Sequence, residues 1–365
     1  MGVNLKEIAE RAGVSLATVS NVVNGYRPVG EQTRRRVQQA IDELGYAPNL
    51  SARHLRRGRT GIIALAIPEL NNPYFAELAG AAMREATRLG YTLVMEDTAA
   101  DRAAELALAG GSHRRTIDGL IFSPVRLSRE DVLARTSDTP LVLIGEGVYD
   151  VPYDHIAIDN IAASHVAVRH LVSLGRRRIA FVGAQFGDPE GARSGDRDGV
   201  HAGAREGVQA GDHRQSAHLR LRGYREALEA AGLPFDPALV ATTAQFGRRD
   251  GLLALRDLLA RDRPPDAVFG YNDLVAIGAL RAIAEAGLRV PEQIAVIGID
   301  DIEEGRFSNP TLTTIAPDKE QIGRLAVRSL VARIEGRPIS PPADVAPPFR
   351  LVARESTLGG RRLVD

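Results

Sequence analysis

Apolar positions in the first residues recur at helical spacing. Leu5, Ile8, Ala9 and Ala12 fall on one face of residues 5–12, as in a short amphipathic helix. Gly13 can take the positive φ that a tight interhelical turn needs. Ser15 can cap a second helix, over 16–23, by accepting a hydrogen bond from the amide of Thr18. That helix turns Val19, Val22 and Val23 inward against Ile8 and Ala9, and leaves Leu16, Ala17, Ser20 and Asn21 outside. A third helix reads over Glu31–Leu44, with Val37, Ile41 and Leu44 on one face and Gly45 as its stop. Arg34, Arg35 and Arg36 near its start suit phosphate contacts as well as a solvated face. Two helices and a small-residue elbow describe a helix-turn-helix, whose second helix fits the DNA major groove. A three-helix core without a ligand is the plainer reading of this segment alone. Residues 50–57 continue as a helical stretch too short to stand in water unless DNA or a twin copy holds it. Residues 58–61 read as a linker.

From Gly61 the pattern changes. Ile62–Ile67 is a continuous apolar run, as in a strand buried on both faces. Helices at 73–89 and 100–109 follow, with strands at 92–95, 120–122, Leu141–Ile144 and 156–158. The alternation resumes with strands at 179–182, 239–242, 267–269 and Ala295–Ile299. Helices at 163–174, 221–231, Arg248–Leu259 and 273–286 separate them. Repeated strand–helix units imply right-handed crossovers and parallel sheets covered by helices. The predicted fold class is α/β, an all-α head followed by two doubly wound lobes of parallel sheet. The region near Asp159 is a candidate connection between the lobes. One stretch breaks the pattern: glycine recurs every fourth residue from 187 to 211 among polar residues. It is too polar for a membrane helix and too glycine-rich for a strand, so 187–218 reads as a mobile insertion. No spacing fixes His201, His213 and His218 as a metal site, and none is expected.

A chain of 365 residues suggests two or three domains. Its net charge is zero but uneven. Residues 1–60 hold ten Lys/Arg against five acids, and the remainder 36 against 41. A basic head on an acidic body is the footprint of a phosphate-backbone binder. Cysteine is absent, which removes disulfides and thiolate chemistry, and no cofactor is implied. The opening MGVNLKEIAE lacks the apolar core of a signal peptide, and no apolar run approaches membrane-spanning length. A cytoplasmic protein with no membrane partner is expected.

Several motifs now gain weight from their order. They are Ile8-Ala9 through Val14-Ser15-Leu16-Ala17-Thr18-Val19-Ser20-Asn21-Val22-Val23-Asn24, and Leu44-Gly45-Tyr46-Ala47-Pro48-Asn49 with Ala52-Arg53 and Leu55. Asn72-Pro73-Tyr74-Phe75, Asn272-Asp273, Gly298-Ile299-Asp300-Asp301, Leu312-Thr313-Thr314-Ile315 and Arg354-Glu355-Ser356 follow. Together they resemble the LacI/GalR family of bacterial transcription regulators, of the lactose-repressor and purine-repressor type, over almost the whole chain. The resemblance implies a homodimer with paired helix-turn-helix heads on palindromic operator DNA, and a core of periplasmic-binding-protein type holding a small effector. It implies a DNA-binding head over 1–46 and a hinge helix and linker over 47–60. The first lobe is then 61–160 plus 317–340, and the second 161–316 plus 341–358. DNA contacts would come from Ser15, Leu16, Ala17, Thr18, Ser20, Asn21, Asn24 and Tyr46 of the head, and from Asn49, Ala52, Arg53 and Leu55 of the hinge. Leu16 and Ala17 suit a thymine methyl, and Asn21 can pair with adenine N6 and N7. Leu55 looks like the hinge leucine that wedges into the minor groove.

Doubly wound lobes bind ligands beyond the carboxyl ends of their strands. Asn72, Tyr74, Phe75, Asp159, Asn272 and Asp300 stand at such ends, and Phe246 follows the 239–242 strand. Arg220 lies where the family pattern places a cleft arginine. These side chains make paired hydrogen bonds and aromatic cover suited to a sugar or other polyhydroxy effector. Their plainer roles are helix caps and core. An enzyme reading lacks a Gly-x-Gly-x-x-Gly after the first strand, a Walker motif and a nucleophile elbow. The competing reading is a solute-binding protein for sugar uptake, which would need an export signal and no basic head. No heptad repeat follows Ser356, so a dimer is expected rather than a tetramer.

Overall fold

Asn4 starts the first helix, α1 (Leu5–Ala12), by accepting hydrogen bonds from the amides of Lys6 and Glu7. Gly13, at φ 63°, ends it by returning its N–H to the carbonyls of Ala9 and Glu10. Helix α2 (Leu16–Asn24) begins at Ser15, whose Oγ accepts from Thr18 N at 3.1 Å. Helix α3 (Glu31–Leu44) follows. Ile8, Ala9, Ala12, Val19, Val37 and Ala40 form the buried core, with Val22, Val23, Ile41 and Leu44 packed around it. An Arg11–Glu43 ion pair ties α1 to α3.

The chain packs as two units, Met1–Gly61 and Ile62–Asp365. The computed structural model describes residues 4–24, 28–45, 58–113, 116–146, 148–185, 215–337 and 343–359. The expected DNA contacts Tyr46, Asn49, Ala52, Arg53 and Leu55 lie outside the described residues. So do the side chain of Asn24 and residues 186–214 of the glycine-rich stretch.

The second unit holds two six-stranded sheets. The first is built from β1 (Ile62–Ile67), β2 (Thr92–Asp97), β3 (Gly119–Phe122), β4 (Leu141–Ile144), β5 (Asp154–Ile156) and β11 (Asp344–Val345), in the order β11-β5-β4-β3-β1-β2. Helices α4 (Pro73–Arg88), α5 (Arg102–Ala109), α6 (Arg129–Leu133) and α12 (Lys319–Ile334) go with it. The second contains β6 (Ile179–Ala184), β7 (Val240–Thr242), β8 (Ala267–Gly270), β9 (Ala295–Ile299), β10 (Thr313–Pro317) and β12 (Phe349–Val352), in the order β12-β10-β9-β8-β6-β7. Its helices are α7 (Asn160–Ser173), α8 (Gln215–Ala230), α9 (Arg248–Leu259), α10 (Asp273–Glu285), α11 (Glu303–Phe307) and α13 (Glu355–Leu358). Every pairing is parallel except β10 with β12. Both sheets place their first strand between the second and third, the doubly wound arrangement whose ligand crevice opens at the strand-order reversal.

The sequence reading and the structure differ at several boundaries. Residues 344–345 pair with His155 and Ile156 of β5, so they complete the first sheet rather than belonging with 341–358 in the second lobe. The helix expected over 221–231 already starts at Gln215, inside the segment read as an insertion. Asp101 caps α5, so that helix begins at Arg102 and not at 100. The strand expected at 156–158 is Asp154–Ile156, and a 3-10 turn at Pro237–Leu239 shortens the next to Val240–Thr242.

Candidate functional site

The outer face of α2 is the first candidate. Leu16 is 52% exposed although apolar, and Ala17 beside it is also exposed. Ser20 and Asn21 are half-buried one turn further on. The Ser15 and Thr18 hydroxyls lie 2.8 Å apart, so these two side chains set the start of the helix. This face can therefore offer apolar contact from Leu16 and Ala17 and a paired donor and acceptor from Asn21. On α3, Glu31 holds Arg35 at 2.5 Å, while Arg34 and Arg36 are exposed.

The second candidate lies past the carboxyl ends of β8 and β9. Asn272 caps α10 by accepting from Val275 N at 2.8 Å, and donates to the Phe246 carbonyl at 3.2 Å. Its amide thus ties the Phe246 loop to the helix start. Arg220 of α8 is only 6% exposed. Its Nε donates to Asn160 Oδ1 at 2.6 Å and one Nη1 hydrogen goes to the Tyr271 carbonyl. Of the five N–H groups a guanidinium carries, the remaining three find no acceptor among the described residues.

Asp300 follows β9 at φ 125°, a conformation costly for any side-chain-bearing residue, and is 7% exposed. Its carboxylate accepts no hydrogen bond from the described residues. Burial pushes its pKa up to about 6; Arg220 and Lys319 pull it down, while Glu146 and Glu77 push it further up. Asp273 beneath it is fully buried, which raises its pKa to about 7. It accepts from Thr314 Oγ1 at 2.7 Å and from Ile302 N at 3.0 Å, which fixes the loop that carries Asp300.

The first sheet contributes Tyr74 and Phe75, packed edge to face with centroids 5.2 Å apart. Asn72 caps their helix by accepting from Tyr74 N at 3.1 Å. Burial raises the pKa of the Tyr74 hydroxyl, and the charges of Asp300 and Glu146 add to the effect against Arg220. Tyr74 and Glu146 from one sheet thus share a field with Arg220 and Asp300 from the other. Arg220 and Asp300 are both buried and opposite in sign, yet no hydrogen bond or ion pair joins the two.

Of the residues singled out from sequence, Tyr74, Arg220 and Asp300 are brought together, and Phe246 and Asn272 adjoin them. Asp159 is exposed and caps α7 by accepting from Ala162 N at 2.9 Å; it is the next residue, Asn160, that reaches Arg220. Tyr271 escaped the sequence reading, although it stands directly before the Asn272-Asp273 pair. Its ring stacks on Phe246 with centroids 3.8 Å apart, and Arg220 lies over it at 4.5 Å. Lys319 and Glu77 also escaped it.

Comparison with known proteins matches both parts of the chain. Residues 4–49 match the model of bacterial regulatory proteins of the lacI family, and residues 168–357 that of a periplasmic binding protein-like domain. The chain is 33% identical over 332 residues to the ribose operon repressor of Escherichia coli (strain K12), covering 90% of this chain and 92% of that one. It is 30% identical over 364 residues to the HTH-type transcriptional regulator DegA of Bacillus subtilis (strain 168), covering 98% of both chains. A solved complex of the transcriptional regulator CelR with cellobiose is 32% identical, with a TM-score of 0.67 over 97% of this chain and 99% of that one. The lac repressor dimer bound to operator and the anti-inducer ONPF is 27% identical, with a TM-score of 0.70 over 98% and 99%. With its DNA-reading head and its two-sheet binding core both matched, this chain belongs to the LacI family of bacterial regulatory proteins.

Proposed function

We infer that the chain is a cytoplasmic transcription repressor that grips palindromic operator DNA as a homodimer and whose hold on DNA is set by a sugar. The observation that carries the effector half is the buried, unjoined pair Arg220 and Asp300. A sugar hydroxyl can accept from the open guanidinium N–H groups while donating to the carboxylate, and so satisfy both at once. An isolated buried charge is costly, and a ligand that pairs with it recovers that cost. Two relatives carry sugars in their names or complexes, the ribose operon repressor and CelR with cellobiose.

The DNA half is supported by the exposed Leu16, Ala17 and Asn21 face and by the positive charge of residues 1–60. Leu16, Ala17 and Asn21 read bases, with Ser15, Thr18 and Ser20 beside them and the hinge residue Leu55 at the operator centre. The dimer is supported by the lac repressor, which is solved as a dimer bound to operator, and a second copy supplies the symmetry a palindrome requires.

The test is a gel-shift titration with a palindromic fragment from beside the gene, with and without ribose, glucose or cellobiose. Tight binding that falls steeply with salt and changes with one sugar is expected. Equal affinity for the palindrome and for scrambled DNA would refute the repressor reading.

A further inference from the structure

We propose that Asn160 is the positioning residue that holds the Arg220 guanidinium away from Asp300 and so keeps both groups open to the effector. The inference rests on the sugar reading of the same cleft.

Asn160 is the first residue of α7, reached just after the chain leaves β5 and the first sheet. It is buried, with 2% of its surface exposed. Its side-chain amide has one end that only accepts and one that only donates. The acceptor, Oδ1, takes the Arg220 Nε hydrogen at 2.6 Å, and Nδ2 donates to the Ile158 carbonyl at 3.2 Å. The amide cannot turn over, because that would set Nδ2 against the guanidinium and Oδ1 against a carbonyl. The backbone is tied as well, since the Asn160 carbonyl accepts from Ser164 Oγ at 2.8 Å. A fixed oxygen therefore meets Arg220 at a fixed place.

The anchor matters because of what stands near it. Arg220 and Asp300 are buried opposite charges with no bond between them, and the Asp300 charge is felt at the guanidinium. An arginine side chain rotates about several bonds, and unlike charges attract strongly where water is excluded. Unrestrained, the guanidinium would swing onto the carboxylate and occupy the atoms that a sugar hydroxyl needs. Two acceptors oppose this: Asn160 Oδ1 takes the Nε hydrogen, and the Tyr271 carbonyl takes one hydrogen of Nη1. They stand at the start of α7 and just past the end of β8, so the guanidinium plane is fixed from two elements. The second Nη1 hydrogen and both Nη2 hydrogens are left for the ligand. Of the two anchors only Asn160 acts through its side chain, so only that one can be removed by substitution. An arginine held in advance also gives up little rotamer freedom when the sugar arrives, which is worth roughly threefold to tenfold in affinity.

Calorimetric titration of the full chain with ribose, glucose and cellobiose can separate the two ends of the amide. Asn160→Leu removes both ends. Asn160→Asp keeps an oxygen for Arg220 and loses the donor to Ile158. The leucine variant is expected to bind the best of the three sugars at least roughly tenfold more weakly than the wild type, and the aspartate variant within about threefold of it. Asn160→Ala replaces the leucine variant should that one fail to fold. A residue that served only the turn at Ile158 would weaken binding equally in both variants, and that result overturns the proposal. A leucine or alanine variant that binds as tightly as the wild type overturns it too. Both of these outcomes spare the sugar reading, because the wild type still binds. No binding of any of the three sugars by the wild type overturns both.

Discussion

At the scale of single residues, Asp300 is the group whose protonation the cleft should report. Its pKa lies near 6 in the fold against an ordinary 3.8. Its contribution to stability is therefore complete below pH 3.8 and is lost as the pH rises through about 6. Ligand binding has the opposite slope. A hydroxyl donates more strongly to a carboxylate than to a carboxylic acid, so effector affinity should rise by roughly tenfold between about pH 5 and pH 7.5. By linkage, a bound effector lowers the Asp300 pKa. Titrations across that range should show the slope in the wild type and a flat profile in Asp300→Asn; a slope that survives the substitution would assign the titration elsewhere. Asp273 titrates in the same region, but Thr314 and Ile302 already occupy its oxygens. Asp300 was singled out in the sequence as a charged residue at a strand end, and Arg220 through the family pattern. Tyr271 was not, since a tyrosine just past an apolar strand reads equally well as the strand's last core residue. Its contacts lie in α8, in β6 and at Phe246, distant in sequence, which no local pattern encodes.

At the scale of elements, helices α9 and α10 meet through backbone rather than side chains. A Cβ on Gly278 would fall 1.9 Å from the Arg248 carbonyl oxygen, and one on Gly251 would fall 2.1 Å from that of Val275. Glycine to alanine in a helix ordinarily helps by up to about 1 kcal/mol. Here Gly278→Ala must push two helices apart, and a loss of about 3 kcal/mol is expected instead, read by urea denaturation. A neutral or stabilising result would show that the crossing can loosen freely. On α2, Ser15→Ala removes the cap that Thr18 N uses and should cost the head about 1 kcal/mol, lowering its melting temperature without altering the second unit. A head that melts unchanged would mean that its core, not this cap, fixes the helix start. Long periodic elements such as α2, α3 and the buried β1 were foreseen because many residues vote for one pattern. The two-residue β11 offers no periodicity at all, and only its pairing with His155 and Ile156 puts it in the first sheet. The first turn of α8 was missed for a related reason, as the glycine-rich sequence before it masks the helical spacing.

At the scale of the second unit, the two sheets are pinned to each other beside the cleft. The Lys319 ammonium donates to the Asp300 and Asp301 carbonyls at 2.6 and 3.0 Å and pairs with Glu77 at 2.6 Å, which uses all three of its hydrogens. Glu77, on α4 of the first sheet, also accepts from Glu303 N of the second at 3.2 Å. The loop holding the buried Asp300 carboxylate is therefore the same loop that fastens the two sheets, with positive φ at Asp300 and Asp301 turning its carbonyls to Lys319. Glu77 and Lys319 line a groove of about 670 Å³ together with Arg84, Arg306 and Arg350, so water reaches part of this pin. That access limits its worth to about 1 kcal/mol, enough to move a two-state equilibrium several-fold but too little to lock it. An effector shifts such an equilibrium only by its difference in affinity for the two arrangements, and a weak pin leaves room for that difference to act. Glu77→Gln and Lys319→Met should each shift the operator affinity of the effector-free protein by roughly fivefold or more. The fold-change produced by saturating sugar should shrink when the shift runs in the sugar's direction. Operator titrations of both variants, with and without sugar, that reproduce the wild-type pair of affinities would reduce the pin to a local contact and leave the strained loop without a part in switching.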